Sequence, residues 1–325
     1  TLAKGIVDVF EADPPFIIAP DVVPTPEMGI AAGYPNFVAL GGHAAVLFND
    51  DLAAPGWSDT AFTHLVSRTL DAGTGTTYAR AKIAAGRLDS ASKRQDVVQG
   101  TGPQGQVNVV RPDLYTRYRW YMENDFGGGV EEVKVPAVGT QYGYWNPASG
   151  GYWQPVTGNG GYPGSGLKVF NAAQNRYEYH GHSVRMIIKK RASDSSAYAH
   201  LHGVAIYPYN LDQVGAFPAF VTLPYVALRR EQWYWIEHRM KMNTIAGPYD
   251  TLGNGAAQAD GVYEVWINGY KCLSKTNFRW RRHPDFGVQG FWLDVYHGGT
   301  KASPYDMTYR VDAVTIASSY IGPPP

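Results

Sequence analysis

Ser183 and Arg185, two residues apart, are candidates for a shared chemical role in this chain. They lie in HSVRMIIKKR (182–191), whose alternating pattern predicts a β-strand. Residues two apart on a strand share a face, so the hydroxyl and the guanidinium point the same way. A guanidinium binds a carboxylate in bidentate geometry, which an ammonium cannot do. The pair therefore indicates recognition of a carboxylate, with a surface ion pair as the alternative.

Three polar rings alternate in the next segment, YAHLHGVAIYPY (198–209). Tyr198, His200 and His202 share one face if this segment is a strand. Histidine exchanges protons near neutral pH, and tyrosine does so when a cation lowers its pKa. The set indicates a proton donor and acceptor, and half-exposed strand residues are the alternative. Two histidines at this spacing also suit a metal, but the sequence places no third ligand, so we predict no metal site.

A short basic run surrounds Trp280 and comprises Arg279, Arg281, Arg282 and His283. Such a run is either a solvated turn or a rim that attracts an acidic polymer, and we take Arg281 as a candidate ligand for that polymer. His297, at the end of GFWLDVYHGG (290–299), is expected to line the same cleft.

Aromatic residues are also frequent in a glycine-rich stretch at 139–166. Trp145 and Trp153 lie there, and an indole ring offers an apolar face on which a sugar ring can stack. We therefore include both as candidate substrate-binding residues.

The elements that position these residues read as strands. WYWIEHRMKMNT and DGVYEVWING both alternate with period 2 and are rich in aromatic and β-branched residues. Asp260-Gly261 and Asn268-Gly269 mark tight turns, because these residues accept a positive φ. DLYTRYRWYMENDF (113–126) is predicted to be a strand, and FTHLVSRTLD (62–71) a short helix. The fold class is therefore all-β, an antiparallel β-sandwich of two sheets.

Composition bounds the possible partners and the organisation of the chain. The 325 residues carry 28 basic and 28 acidic side chains, and this balanced charge does not predict binding to nucleic acid or to a membrane surface. The single Cys272 excludes an internal disulfide. No run has the length of a transmembrane helix or the pattern of a signal peptide, and a secreted form without its signal has the same pattern. We expect an extended Pro-rich arm at 1–43 and a single domain at 44–325.

The order of motifs resembles that of a family of lyases. RYRWYMENDF, KVPAVG, HSVRM, YAHLH, YWIEHRMKMNT, YEVWING and YRVDAVTI follow one another as in the alginate and glucuronan lyase group of polysaccharide lyases, typified by viral and molluscan enzymes. The similarity covers roughly residues 110–322 and implies a concanavalin A-like jelly roll. A family lysine matches Lys134, with Lys168 as a rival, and the family Ser-x-Arg matches Ser183 and Arg185. A pair of tyrosines matches Tyr198 and His200, so the second tyrosine is replaced.

The resemblance implies β-elimination on a uronic-acid polymer, without a cofactor. Arg185 and Ser183 would neutralise the carboxylate, and Lys134, Tyr198 or His200 would move the protons. His202, Trp145, Trp153, Arg281 and His297 complete the expected substrate-binding set.

An anionic polysaccharide is thus the expected partner, and a secreted or virion-associated protein the expected location, with the oligomeric state open. The alternative function is a non-catalytic carbohydrate-binding or virion-surface protein on the same scaffold. A glycoside hydrolase needs a pair of carboxylates on one face, and the adjacent Glu131 and Glu132 face opposite ways on a strand.

Overall fold

The computed structural model describes residues 26–35, 37–52, 62–72, 75–96, 111–127, 132–139, 143–146, 152–154, 166–190, 201–214, 217–284, 286–288, 290–298 and 301–325. Tyr198 and His200 lie outside these ranges. Within them the chain forms a short 3-10 helix at Ile30–Gly33, one helical turn α1 at Phe37–Leu40, and twenty strands. The strands are β1 Val46–Asp50, β2 Leu65–Asp71, β3 Thr76–Ile83, β4 Asp89–Asp96, β5 Asp113–Met122, β6 Glu132–Gly139, β7 Gly143–Asn146, β8 Tyr152–Gln154, β9 Leu167–Asn171, β10 Arg176–His180, β11 Ser183–Lys190, β12 Leu201–Tyr209, β13 Val221–Arg229, β14 Trp233–Lys241, β15 Ile245–Ala246, β16 Ala256–Ala257, β17 Gly261–Ile267, β18 Tyr270–Phe278, β19 Gly290–His297 and β20 Met307–Ala317.

Two antiparallel sheets form the body of the molecule. In the described residues, the larger sheet has eight strands in the order β18-β17-β14-β5-β20-β3-β2, with β1 paired to β20. The second has six strands in the order β13-β12-β11-β6-β19-β4. One buried hydrophobic cluster draws side chains from both sheets, as expected when two half-apolar sheets pack face to face. The predicted antiparallel β-sandwich is confirmed.

The strand predictions from periodicity are confirmed at β5, β14 and β17, and one helix prediction is wrong. Residues 65–71 form β2, paired with β3, instead of a helix. The β-branched Val66 and Thr69 restrict the side-chain rotamers in a helix and favour a strand at the sheet edge. No helix in the described part of the chain is long and apolar enough to cross a membrane.

The six-stranded sheet has two chemically different faces. Val184, Met186 and Ile188 of β11 point into the core and are at most 2% exposed. Because side chains alternate along a strand, Ser183 and Arg185 point to the opposite face, away from the larger sheet. The outer face of this sheet therefore carries the polar residues of β11.

A small four-stranded sheet, in the order β8-β7-β10-β9, lies in the chain between β6 and β11. Its strand β9 is fixed to the body by two hydrogen bonds between the backbone of Lys168 and the side chain of Asn254, at 3.0 and 2.9 Å. The carbonyl of Gly166 also accepts the amide hydrogen of Arg282 at 2.9 Å.

The described part of the N-terminal segment packs on the end of the chain. The amide of Ala31 donates to the carbonyl of Ile321 at 2.8 Å, and that of Glu27 to Gly269 at 2.7 Å. Phe37 and Leu40 join Ile321 in a second small apolar cluster. The division at residues 43 and 44 stays a prediction.

Candidate active site

Strand register brings three of the proposed catalytic residues onto one face. β11 lies between β6 and β12, where Arg185 pairs with Ala137 on one side and Tyr207 on the other. Ser183 pairs with Tyr209, and a β-bulge after Arg185 sets Lys134 opposite Ile187. Lys134, Ser183 and Arg185 therefore share the outer face of the six-stranded sheet.

Arg185 is buried and its charge is compensated within the site. Arg185 is only 5% exposed, and its Nε lies 2.7 Å from Oδ2 of Asp294 on β19. The same group lies over the ring of Trp292, 4.3 Å from its centroid. Burial raises the pKa of Asp294, whereas Arg185 and Lys134 act in the opposite direction. The cation is thus held between a carboxylate and an indole face.

Lys134 lies half-buried between two tyrosine rings. Its Nζ is 5.3 Å from the ring centroid of Tyr207 and 5.1 Å from that of Tyr296. Burial lowers the pKa of Lys134, and the charge of Arg185 lowers it further, whereas Asp294 and Glu132 oppose the shift. A lysine with a lowered pKa has a larger neutral fraction, which is the form that accepts a proton.

Two tyrosines that the sequence analysis did not select complete the site. The rings of Tyr207 and Tyr209 on β12 lie 5.2 Å apart, edge to face. Burial, the neighbouring Tyr209 and a hydrogen bond with it raise the pKa of Tyr207 well above its ordinary value. Its hydroxyl therefore stays protonated at neutral pH and can serve as a proton donor.

The signal for this pair was present in the sequence as Tyr-Pro-Tyr at 207–209. Tyr207 and Tyr209 are two residues apart and share a face, but Tyr198 and His200 have the same spacing, and the resemblance matched the family tyrosines to that earlier pair. The structure accommodates Pro208 in β12, opposite Val184. Tyr198 and His200 lie outside the described residues.

His202 and His297 are placed on the other face of the sheet, away from the site. His202 is 2% exposed, and its ring contacts that of Phe126 at 6.4 Å. His297 is also buried, with Nδ1 bonded to the carbonyl of Lys301 at 2.5 Å. Both occupy inward positions of the alternation, so the structure does not bring them to Lys134 and Arg185.

Arg281 serves the loop after β18. Its guanidinium donates to the carbonyls of Asn243, Pro284 and Phe286, and burial lowers its pKa. These contacts hold the backbone of the loop, and the Arg281 side chain is half-buried. The expected role of Arg281 at the rim of the cleft stays a prediction.

Trp145 and Trp153 pair with each other across β7 and β8 of the small sheet. Among the described residues, no group of three metal-ligating side chains is placed to hold an ion.

Comparison with known proteins gives structural neighbours only. No family model matches the chain, and no curated protein matches it. An alginate lyase from Chlorella virus has 15% identity and a TM-score of 0.51, covering 84% of this chain and 99% of that one. An alginate lyase from Aplysia kurodai has 15% identity and a TM-score of 0.49, covering 91% and 100%. An endo-β-1,4-glucuronan lyase from Trichoderma reesei has 13% identity and a TM-score of 0.44, covering 84% and 95%.

The likeness to the viral enzyme establishes the fold. This chain has the jelly-roll β-sandwich of that structure over most of its length, as the sequence predicted. At this identity a shared fold does not carry an activity with it.

Proposed function

We propose that this protein is a polysaccharide lyase that cleaves a uronic-acid polymer by β-elimination. The observation that carries the proposal is the convergence of Lys134, Arg185 and Tyr207 on one sheet face, where the pKa of Lys134 is lowered by burial and by the charge of Arg185. The viral structural neighbour is described as an alginate lyase, which agrees with this substrate class.

The reaction follows from the roles of these three side chains. Arg185, assisted by Ser183, neutralises the carboxylate of a uronate and stabilises the enolate-like charge that develops on it. Neutral Lys134 removes the proton from the carbon beside that carboxylate. The electron pair then forms a carbon–carbon double bond as the bond to the glycosidic oxygen breaks. Tyr207 or Tyr209 donates its hydroxyl proton to the departing oxygen, so the products are an unsaturated end and a free hydroxyl.

The chemistry needs neither a metal nor an organic cofactor, because the guanidinium supplies the positive charge at the carboxylate. A polymeric substrate is most often met outside the cell, so we place the protein in a secreted or virion-associated setting.

Absorbance of the unsaturated product tests the proposal. The purified chain is mixed with alginate, glucuronan, pectate and glycosaminoglycans, beside the variants Lys134→Ala and Arg185→Ala. We expect rising ultraviolet absorbance on at least one polymer and a loss of about 100- to 10,000-fold in each variant, the range for a positioned proton-transfer or charge-stabilising group. Lys241→Ala, at an exposed position on the other sheet, is the matched control and should keep full activity.

A second candidate function, non-catalytic binding of carbohydrate, is favoured by one observation. Arg185 is already paired with Asp294, which reduces the charge that it offers to a substrate carboxylate. Under this alternative, absorbance stays flat on every polymer while the wild-type chain still binds one of them. An active wild type with inactive Lys134→Ala excludes it.

A further inference from the structure

One row of aromatic positions crosses the small four-stranded sheet. Phe170 on β9 pairs with Tyr177 on β10, and Trp145 on β7 pairs with Trp153 on β8. Between β10 and β7, Glu178 pairs with Tyr144. Because these strands are antiparallel, the next position in the same register sets Tyr177 opposite Trp145. The backbone register therefore aligns one aromatic position from each of the four strands in a single row.

The two faces of this sheet differ sharply in exposure. Glu178 on one face is 4% exposed and accepts hydrogen bonds from Asn171 at 3.0 Å and from Arg176 at 2.8 Å. On the other face Phe170 is 48% exposed and Tyr177 is 49% exposed. Their rings lie 5.2 Å apart at an interplanar angle of 59°. Large apolar side chains on the outside of a sheet mark an interaction surface more often than scattered single ones do.

A cation belongs to the same surface. Lys168 shares the face of Phe170, two residues away, and its Nζ lies 5.1 Å from the ring centroid of Tyr177. An ammonium over one ring of an aromatic surface adds attraction for an anion to the stacking that the other ring offers. The hydrogen bonds between the backbone of Lys168 and the side chain of Asn254 fix this strand to the sandwich.

Chain connectivity joins this surface to the candidate active site. The segment that contains the small sheet leaves β6 after Gly139 and returns at Ser183, and these two residues pair in the six-stranded sheet. Ser183 in turn pairs with Tyr209 of the site. The small sheet is therefore inserted at the end of the strand pair that carries Lys134 and Arg185.

We propose that the exposed face of the small sheet, centred on Phe170, Tyr177 and Lys168, is a binding subsite for an acidic polysaccharide chain extending from the candidate active site. The aromatic rings stack against the apolar faces of pyranose rings, and the ammonium pairs with a uronate carboxylate. The substrate class rests on the proposed function, whereas the stacking surface itself does not. A second anchoring point raises the affinity for chains long enough to reach both sites, and leaves short chains unaffected.

The test compares binding with chain length. Isothermal titration measures affinity for oligouronates of two to ten sugars and for the polymer. The reference chain is wild type at Phe170 and Tyr177 and carries Lys134→Ala so that the ligand is not cleaved, and the double variant Phe170→Ala/Tyr177→Ala is made in the same background. We expect the double variant to lose about 10-fold or more in affinity for the longest chains, and nothing for the shortest. Lys168→Gln should lose affinity at low salt and less at high salt, because salt screens an exposed ion pair. Leu70→Ala, which removes a 65% exposed apolar side chain from β2 of the other sheet, is the control.

The conservative pair Phe170→Tyr/Tyr177→Phe separates stacking from folding, because it keeps both rings and should bind like the wild type. Equal affinity of the alanine variant and the wild type at every length would overturn the subsite while leaving the lyase proposal intact. Length-dependent binding without any unsaturated product would retain the subsite and overturn the lyase. Absence of binding to all acidic polymers would overturn both.

Discussion

Arg185 and Asp294 set the electrostatics of the site at the scale of single residues. Their ion pair is buried, and the two charges shift the pKa of Lys134 in opposite directions. Arg185 lowers the pKa of Lys134, whereas Asp294 and Glu132 raise it. The protonation of the proposed base therefore depends on a carboxylate that does not itself transfer a proton.

Replacing that carboxylate should shift the pH dependence of the reaction. In Asp294→Asn the charge that raises the pKa of Lys134 is lost, so the base is neutral at lower pH. We expect the acidic limb of the kcat/KM profile to move to lower pH by about one unit, the scale of a single neighbouring charge. Glu231→Gln, which changes an exposed carboxylate in the turn between β13 and β14, should leave the limb in place. If the acidic limb of Asp294→Asn stays at the wild-type pH or moves to higher pH, the assignment of Lys134 as the base is contradicted.

The tyrosines provide a second prediction at this scale. Tyr207→Phe removes the hydroxyl from the ring whose centroid lies 5.3 Å from Nζ of Lys134, and should lower kcat by about 100-fold, the smaller contribution of a general acid. Tyr209→Phe removes its hydrogen-bond partner and should have a smaller effect. Tyr198→Phe tests the tyrosine matched by the resemblance in the same assay. Activity lost in Tyr198→Phe and kept in Tyr207→Phe would transfer the donor role to residue 198.

At the scale of elements, periodicity predicted faces but not partners. The alternation in 182–191 correctly separated Ser183 and Arg185 from the core positions. It gave no information on which strands flank β11, because register depends on hydrogen bonding between segments distant in sequence. The bulge that sets Lys134 opposite Ile187, and the pairing of Arg185 with Tyr207, are properties of that register. The resemblance supplied Lys134 and matched the tyrosine pair to residues 198 and 200, which lie outside the described residues.

The junction of β14 with the end of the chain gives a prediction for an element. Glu237 accepts the backbone amide hydrogens of Ile321 and Gly322, both at 2.8 Å, while buried under the C-terminal segment. Glu237→Gln leaves one acceptor for two buried donors, which should cost about 1–3 kcal/mol in the free energy of unfolding. Urea unfolding of this variant beside Glu231→Gln measures the difference. A change equal to that of the exposed control would show that the junction contributes nothing to stability.

At the scale of the whole molecule, two buried groups on β14 link folding to pH with opposite signs. Burial lowers the pKa of His238 to about 3, since the ring is enclosed between the sheets beside Tyr118 and Tyr263. Burial raises the pKa of Glu237 to about 7, although the amides of the C-terminal segment favour its charged form. The two residues are neighbours in sequence and point to opposite faces of one sheet.

Variants of the two residues should therefore tilt the stability profile in opposite directions. The contribution of His238 is complete above its unfolded pKa of 6.5 and is lost as pH falls toward 3, because the unfolded chain takes up the proton first. The destabilisation caused by His238→Gln, relative to wild type, should thus shrink from pH 7 to pH 4.

The contribution of Glu237 is complete below its unfolded pKa of 4.5 and is lost as pH rises through about 7. The destabilisation caused by Glu237→Gln should accordingly shrink from pH 4.5 to pH 8. Urea unfolding of the three proteins across this range measures both differences, each with an expected slope of up to about 1.4 kcal/mol per pH unit. Parallel curves would mean that neither group changes its pKa on folding, and tilts of the same sign would mean that burial does not govern both.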